Sequence, residues 1–410
     1  MDLTGKRLLI LGGTRLMIHV VKTAKGMGVY TVVTDMDPYS PAKAYADRAY
    51  DISTKEIDDV TKMALEEKIE GVFAGYDDQN TGYAIEICEK LGLPFYATKE
   101  QINITKNKSL FKRLCREYGL PVVTEYALDE VEYPCVVKPT DSYSAKGITI
   151  CYSKDELDKA IKYALSFSAS GQYLIEKYVD YTVADCVNID YLLIDGEIIL
   201  TLVGDKVVVK QGNKAPLTDA VFYPSKHVDK YVAMMDEKMK KMFESINMKN
   251  GVVFIESFFD ADGFAIYEMG YRVGGGQSSI LLDQMCGVDY IKLLIQFALT
   301  GNMTHEKLEL IDPGKVMFAC GQVVLIKPGT IGKIENIDEI QRMPGVVNIT
   351  QYLNVGDSVD SKYWGTLGQT FARIHVVEKD EQMLLNTLRK IKNRLHVKDG
   401  KGKDMIVRTR

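Results

Sequence analysis

The sequence predicts a three-domain chain of mixed α/β and α+β class: a Rossmann-like domain over residues 1–97, a central α+β domain over 98–311, and a mostly antiparallel domain over 312–410. Three observations carry this reading. At 410 residues the chain exceeds what one hydrophobic core usually supports. It opens on an apolar run at 6–11 (KRLLIL), then Gly12, Gly13 and Thr14, a mixed segment at 17–27 and a second apolar run at 29–34 (VYTVVT). That is the strand, turn, helix, strand order of a parallel sheet. From Asp312 onward valines, glycines and turn signals dominate, with strands at 316–327, 332–334, 350–355 and 371–377 closed by a helix at 381–395.

Composition excludes several classes. With 46% hydrophobic and 26% charged residues the chain reads as an ordinary globular protein. A net charge of −5, with no concentrated basic surface outside residues 398–403, argues against nucleic acid as a partner. No stretch approaches the ~20 apolar residues of a membrane span, and Met1-Asp2-Leu3-Thr4 lacks the basic and apolar regions of a secretion signal, so the cytoplasm is the expected compartment. The seven cysteines form neither a CxxC pair nor a disulfide framework and are expected as buried thiols.

The first domain continues with helices at 57–68 and 81–91 and strands at 71–75 and near Phe95. Asp35 and Asp37 follow its second strand, where a dinucleotide fold places a ribose acid, but GGTRLM lacks the third glycine of that fingerprint. A tight turn is the favoured reading there. Asp77 and Asp78 follow a strand's carboxyl end, the usual place for ligands in such sheets.

Residues 106–118 (KNKSLFKRLCREY) have helical spacing, with Leu110, Phe111, Leu114 and Cys115 on one side and cations on the other. Lys108 near the start is open to a phosphate or to water. A strand at 134–138 ends in Lys138 and leads into a small-residue loop at 140–147 and a strand at 148–152. Backbone N–H groups of such a loop can form an anion nest, to which Lys138 and Lys146 add point charges, although the Walker order is absent. A helix at 153–167 carries Asp155 and Glu156 in its first turn, with Ser153 as N-cap. The strand at 172–175 then runs into Glu176-Lys177-Tyr178-Val179. Consecutive backbone groups beside apolar Val179 suit an adenine ring, and suit an ordinary amphipathic strand as well. Strands at 187–193 and 197–203 flank the turn Asp195-Gly196, Asp205 and Lys206 with the run 210–219 read as an active-site or mobile loop, and helices are expected at 226–246 and 289–299.

The stretch 254–277 (FIESFFDADGFAIYEMGYRVGGGQ) is the chain's most informative one. Two apolar runs are separated by Asp260-Ala261-Asp262-Gly263, the residues of a tight hairpin turn. A turn centred on 261–263 puts Glu256 opposite Glu268, on one face of the strand pair. Like charges directly opposite destabilise a sheet unless a cation lies between them, and a hard cation such as Mg²⁺ takes carboxylate and phosphate oxygens. Arg272 and Gly274 to Gly276 follow, a phosphate or carboxylate clamp and a backbone that a ligand can approach closely. Exposed acids pointing into water are the alternative.

Taken in order over roughly 170 residues, the lysine-ended strand, the small-residue loop, the Glu176 hinge and the carboxylate hairpin resemble the ATP-grasp superfamily. The resemblance implies a nucleotide between two α+β lobes, the smaller at about 122–190, flanked by a pre-ATP-grasp domain and a biotin-carboxylase-like C-terminal domain. It implies that Lys108 and Lys138 contact ATP phosphates, that Glu176 to Val179 hold adenine, that Glu256 and Glu268 hold Mg²⁺, with Mn²⁺ as an alternative, and that Arg272 binds the transferred phosphate. Lys146 and Asp185 join the expected nucleotide contacts. Two positions depart from the pattern: its E-x-N-x-R asparagine is Gly270, and its ribose glutamate falls on Ala184 beside Asp185, whose strand parity is wrong unless a bulge intervenes.

Among relatives the sequence is most similar to L-amino-acid ligases, carbamoyl-phosphate-synthase-like proteins and purine-pathway carboxylate ligases. That implies an ATP- and Mg²⁺-dependent ligase that joins a small-molecule carboxylate to an amine through an acyl phosphate. The alternatives are a carboxylase or carbamoyl-phosphate-forming enzyme using bicarbonate, an ATP-binding protein without catalysis, and a dehydrogenase built on the first sheet. No nucleophile of the Ser-His-Asp kind is needed; the five histidines are widely dispersed, and His227 beside the polar loop reads as a surface residue, with contact to substrate as the alternative. A homodimer is the default assembly.

Overall fold

The computed structural model describes residues 2–142, 146–210, 216–304 and 311–408. The first part is a four-stranded parallel sheet, ordered β3-β2-β1-β4, of β1 (Arg7–Leu11), β2 (Tyr30–Thr34), β3 (Arg48–Tyr50) and β4 (Gly71–Phe73). Helices α1 (Arg15–Gly26), α2 (Ile57–Glu66) and α3 (Asp78–Leu91) accompany it. Leu8 to Leu11 are fully buried, which is why this strand is apolar throughout rather than alternating. No strand forms near Phe95, whose ring instead stacks on Tyr96 at 4.6 Å. Nor is the glycine turn open to a dinucleotide. Gly13 N–H donates to Asp35 Oδ2 at 2.7 Å, its carbonyl accepts from Ala42 N–H at 2.8 Å, and a side chain at 13 would meet Ser40 Cβ at 2.5 Å. The chain itself fills the place a pyrophosphate needs.

Next come α4 (Lys99–Lys106), which was not expected, and α5 (Lys108–Glu117), the helix expected over 106–118. The break falls at Asn107, whose side chain accepts from the Ser109 and Leu110 N–H groups and so caps a new helix. A small lobe follows: an antiparallel sheet ordered β6-β5-β7, from β5 (Cys135–Pro139), β6 (Thr149–Cys151) and β7 (Tyr173–Lys177), backed by α6 (Lys154–Leu165). Part of the expected phosphate loop, 143–145, lies outside the described residues, as do 211–215 and His305.

The largest sheet has eight strands. It combines β8 (Asp185–Ile194), β9 (Glu197–Val209), β10 (Leu217–Tyr223), β11 (Gly251–Asp260) and β12 (Gly263–Gly270) with β13 (Phe318–Leu325), β15 (Val346–Gln351) and β17 (Thr370–Glu378), in the order β12-β11-β8-β9-β10-β13-β17-β15. The C-terminal part is therefore no separate sheet, since β10 pairs with β13 and sets Tyr223 opposite Ala319. Its other strands, β14 (Gly329–Glu335), β16 (Ser358–Val359) and β18 (His396–Asp399), form a small sheet of their own. Asp195 and Gly196, both with positive φ, make the expected tight turn between β8 and β9. Because β9 runs on to Val209, Asp205 and Lys206 lie in a strand, not in a loop.

The helix expected over 226–246 is α7 (Val228–Tyr231), a π-helical stretch at Val232–Asp236, and α8 (Glu237–Ser245). Beyond the hairpin come α9 (Ser278–Cys286) and α10 (Tyr290–Thr300), and in the last part α11 (Ile337–Gln341) and α12 (Glu381–Arg394). Helix α10 packs on β4 and α1, so a helix of the central part closes the first sheet. Six of the seven cysteines are buried and all are free thiols. No helix among the described residues is long and apolar enough to cross a membrane.

The contact between β4 and α10 is close enough to require glycine at 71, where an added Cβ would overlap the Ala298 carbonyl. Gly71→Ala is expected to lower unfolding stability by about 1–3 kcal/mol, read as a lower urea midpoint at unchanged slope.

Candidate active site

Strands β11 and β12 join through a turn at Ala261 and Asp262, with Asp260 paired to Gly263. In that register Glu256 would face Tyr267. One extra residue in β12, a bulge opposite the step from Glu256 to Ser257, moves the pairing so that Glu256 stands opposite Glu268. The acids meet as expected, by a tighter turn plus a bulge instead of a wider turn. The bulge also turns Tyr267 toward the same face. Its hydroxyl donates to Glu256 Oε2 at 2.6 Å, and its ring stacks on Phe258 at 4.5 Å.

Neighbouring strands complete this face. Asn188 on β8 is in register with Glu256, and Lys206 on β9 donates to Glu256 Oε2 at 2.8 Å. Burial would raise the Glu256 carboxyl, but the Lys206 charge, the hydrogen bonds from Lys206 and Tyr267 and the Arg272 charge together hold it below the usual carboxylate range. Glu268 has no such partner. Burial and then the Glu256 charge push it up, only partly offset by Lys108, Lys206 and Lys138. Asp190, two residues beyond Asn188, is pushed up to about 6 by burial, against a hydrogen bond from Ser278. Among the described residues no three His, Cys, Asp or Glu side chains converge as a metal group. What the face provides is two carboxylates, one of them short of positive charge, and the Asn188 Oδ1 atom, buried without a partner. Such oxygen donors fit a hard divalent cation.

Position 270 cannot contribute. The Phe254 ring lies over Gly270, where any Cβ would overlap it, and the Arg272 guanidinium sits 4.8 Å from the same ring. Arg272 also forms a forked pair with Asp78, Nε to Oδ1 at 2.8 Å and Nη2 to Oδ2 at 3.2 Å. Asp78 thus reaches the site as the partner of the clamp, while Asp77 caps α3 by accepting from Gln79 and Asn80 N–H. The glycines after Arg272 meet the C-terminal part, where Gly276 O lies 3.1 Å from His375 Nε2.

On the other side stands a buried charge cluster. Glu176 is 3% exposed and paired with two lysines, Lys138 at 2.6 Å and the fully buried Lys112. Burial alone would raise Glu176, but Lys138 and Lys112 hold it low. The Glu176 side chain is therefore committed to the protein, and it is Lys138 that it positions. At the hinge, Lys177 and Tyr178 N–H donate to Thr124 and Pro134 carbonyls at 2.9 and 3.4 Å, and Val179 N–H has no backbone partner among the described residues. Lys108 is buried and donates to Ser142 O at 2.9 Å, tying α5 to the phosphate loop. Burial lowers its pKa. Lys146 is exposed.

Two expectations fail. Asp185 pairs with Phe259, three residues from Glu256, so it points to the opposite face. There His227 and Lys226 bind it at 2.8 and 2.9 Å. No bulge in β8 opposite β11 corrects the parity, and Asp185 is no ribose contact on the acidic face. His227 is buried against the Phe259 ring at 4.2 Å, not a surface residue. Sequence reasoning also missed Lys112, Tyr267, Asn188 and Asp190, and it placed Lys206 in an active-site or mobile loop without giving it a partner. Lys112 was detectable one helical turn after Lys108, and Lys206 in the alternation of GDKVVV.

Comparison with known proteins gives the family of this region. Residues 131–280 match the ATP-grasp domain. Over 310 residues, 70% of the chain, the sequence is 25% identical to the carbamoyl phosphate synthase large chain of Clostridium acetobutylicum. Over 187 residues it is 27% identical to the formate-dependent phosphoribosylglycinamide formyltransferase of Sulfurisphaera tokodaii. The matches span 28% and 47% of those two proteins, less than half of each. In fold the chain is similar to an L-amino acid ligase from Bacillus licheniformis, with a TM-score of 0.79 at 19% identity, covering 97% of this chain and 99% of that one. It is also similar to the biotin carboxylase domain of the Hydrogenobacter thermophilus 2-oxoglutarate carboxylase, solved as a dimer with MgADP and bicarbonate, at 0.78 and 17%, covering 98% and 92%. The chain carries an ATP-grasp domain in a mixed α/β, multidomain setting.

Since Glu268 is held above the ordinary carboxylate value, its charged form is penalised in the fold. Its contribution favours folding below the unfolded pKa and is lost as pH rises through the folded one. Glu268→Gln is therefore expected to raise the melting temperature of the metal-free protein at pH 7.5. The gain should shrink toward pH 4, as followed by thermal unfolding at both values.

Proposed function

We propose that this protein is an ATP-dependent ligase that joins a small-molecule carboxylate to an amine. The observation that carries the reading is the register of Glu256 with Glu268 on a face shared with Lys206, in a chain with an ATP-grasp domain. Glu256 and Glu268 would hold Mg²⁺, which supplies positive charge to the nucleotide phosphates. Lys138, fixed by Glu176, and Lys108 would bind phosphate oxygens, and Val179 N–H with the hinge carbonyls would meet the adenine edge. Arg272 would bind the transferred phosphoryl group on leaving Asp78.

In the first step a carboxylate oxygen attacks the γ-phosphorus, an O–P bond forms, and the bond to the β-phosphate oxygen breaks to release ADP. The amine nitrogen then attacks the acyl carbon, a C–N bond forms, the carbon–oxygen bond to phosphate breaks, and the nitrogen loses a proton. Both steps need charge neutralisation and positioning more than a covalent nucleophile. Similarity to a carbamoyl phosphate synthase and to a carboxylase domain solved with bicarbonate supports bicarbonate as the alternative acceptor. We place the enzyme in the cytoplasm, where ATP is present and free thiols persist, and take a homodimer as its assembly, as for the carboxylase domain.

A phosphate-release screen of MgATP with paired amino acids, sugar acids and amines, run with and without bicarbonate, tests the reading. Amine-dependent release without bicarbonate is expected from the ligase. Bicarbonate-dependent release turns the assignment to the alternative, and ATP binding without turnover on any pair turns it to a non-catalytic protein. Lys138→Met is expected to lower kcat/KM by about 100-fold or more, the usual effect of removing one preorganised charge from a transferring group.

A further inference from the structure

Three features converge on Asn188. The pair Glu256 and Glu268 gives a cation only two protein ligands, and among the described residues no third acidic or histidine side chain joins them. Position 270, from which the resembling family draws an asparagine, is glycine with the Phe254 ring packed over it, so no side chain can project from there. Asn188 stands directly across from Glu256 on β8, and its Oδ1 is shut off from water with no hydrogen-bond partner.

An amide oxygen in that state is expensive. Leaving a buried acceptor unpaired costs about 1–3 kcal/mol, so such atoms are scarce unless something absent from the free protein binds them. The cationic donor on this face, Lys206, is already given to Glu256 Oε2, and the Tyr267 hydroxyl goes to the same oxygen. Neither donor reaches Asn188 Oδ1, and a hard cation held by Glu256 would take a neutral amide oxygen without adding charge.

We propose that the Asn188 side-chain oxygen is the third protein ligand of the cation held by Glu256 and Glu268, supplied from the adjacent strand in place of a residue at 270. The inference rests on the reading that this face binds a divalent cation with the nucleotide. It assigns this chain a cation shell of two carboxylates and one amide, with the amide on β8 instead of β12.

The test is Mn²⁺ binding, followed by electron paramagnetic resonance in the presence of a saturating non-hydrolysable ATP analogue, for wild type, Asn188→Ala, Asn188→Asp and Glu268→Gln. Metal-free affinity for the analogue and metal-free melting temperature are measured alongside. Asn188→Ala should weaken Mn²⁺ binding by about 10- to 100-fold, leave metal-free nucleotide affinity unchanged, and leave the melting temperature unchanged or higher, since an unpaired acceptor is removed. Asn188→Asp, which keeps an oxygen in place, should bind Mn²⁺ at least as well as wild type. If Asn188→Ala binds Mn²⁺ within twofold of wild type while Glu268→Gln does not, the role of Asn188 is refuted and the carboxylate site stands. Should both variants bind Mn²⁺ like wild type, the cation-site reading falls with it. An equal loss of metal-free nucleotide affinity in Asn188→Ala makes the oxygen a nucleotide contact and overturns the proposal.

Discussion

Two carboxylates held in register across one strand pair set a charge problem that the rest of the site answers. At 4 Å and an effective dielectric of 20, like charges repel by about 4 kcal/mol, and the sheet cannot relieve this by sliding, because its pleat and the apolar residues flanking the acids fix the register. The structure answers on one side only. Lys206 and Tyr267 settle Glu256, and Glu268 is left with distant lysines. A site built this way gains more from a cation than a fully neutralised one would.

The same economy governs the cations. Lys206 is held by Glu256, Lys138 by Glu176 and Arg272 by Asp78, so three positive groups of the candidate site each have an acid in the protein. Lys138 and Lys112 share one carboxylate, which leaves the Glu176 cluster one positive charge in excess before Glu125, 3.6 Å from Lys112, is counted. With Glu125 and its other partner Arg116 both counted, the cluster keeps that excess. Breaking it by removing one buried partner is far more damaging than the pair is stabilising, about 3–5 kcal/mol, which makes its geometry persistent. The Glu176 carboxylate is thus occupied in holding Lys138 and Lys112, which leaves the hinge role expected of 176–179 to the backbone groups, as the sequence reading had it.

How much of this was legible follows from what each signal depends on. Apolar periodicity and turn residues depend on local chain, and they located the parallel sheet, the Asp195-Gly196 turn and the acidic hairpin correctly. Lys138, Glu256, Glu268 and Arg272 could be singled out because their spacing follows strands and turns. The bulge was invisible, since an extra residue in β12 has no composition of its own, and with it went Tyr267. Lys112 was placed only on the cationic side of its helix and Lys206 only in an active-site or mobile loop, because a lysine's burial is decided by acids distant in sequence, Glu176 and Glu256. Asp185 and His227 were misplaced for the converse reason: their face of β8 is covered by the helical segment after β10, whose packing the sequence did not reveal. The boundary at 311/312 marked a real change in composition, but strand pairing crosses it.

The forked pair of Arg272 with Asp78 ties these strands of argument together. Asp78 belongs to α3 of the first sheet and Arg272 follows the acidic hairpin, so the pair spans parts of the chain 194 residues apart. Stacking on Phe254 fixes the guanidinium from one side, and Phe254 can lie there only because residue 270 has no side chain. Gly270 is in this sense the complement of Arg272: the loss of an oxygen ligand at 270 makes room for the ring that orients the clamp. A planar guanidinium trades one bidentate oxyanion for another with little reorientation. On the proposed function, a phosphoryl group or substrate carboxylate that replaced Asp78 on Arg272 would remove a tie between the first sheet and the hairpin, and would so couple occupancy of the clamp to how the first domain sits against the site.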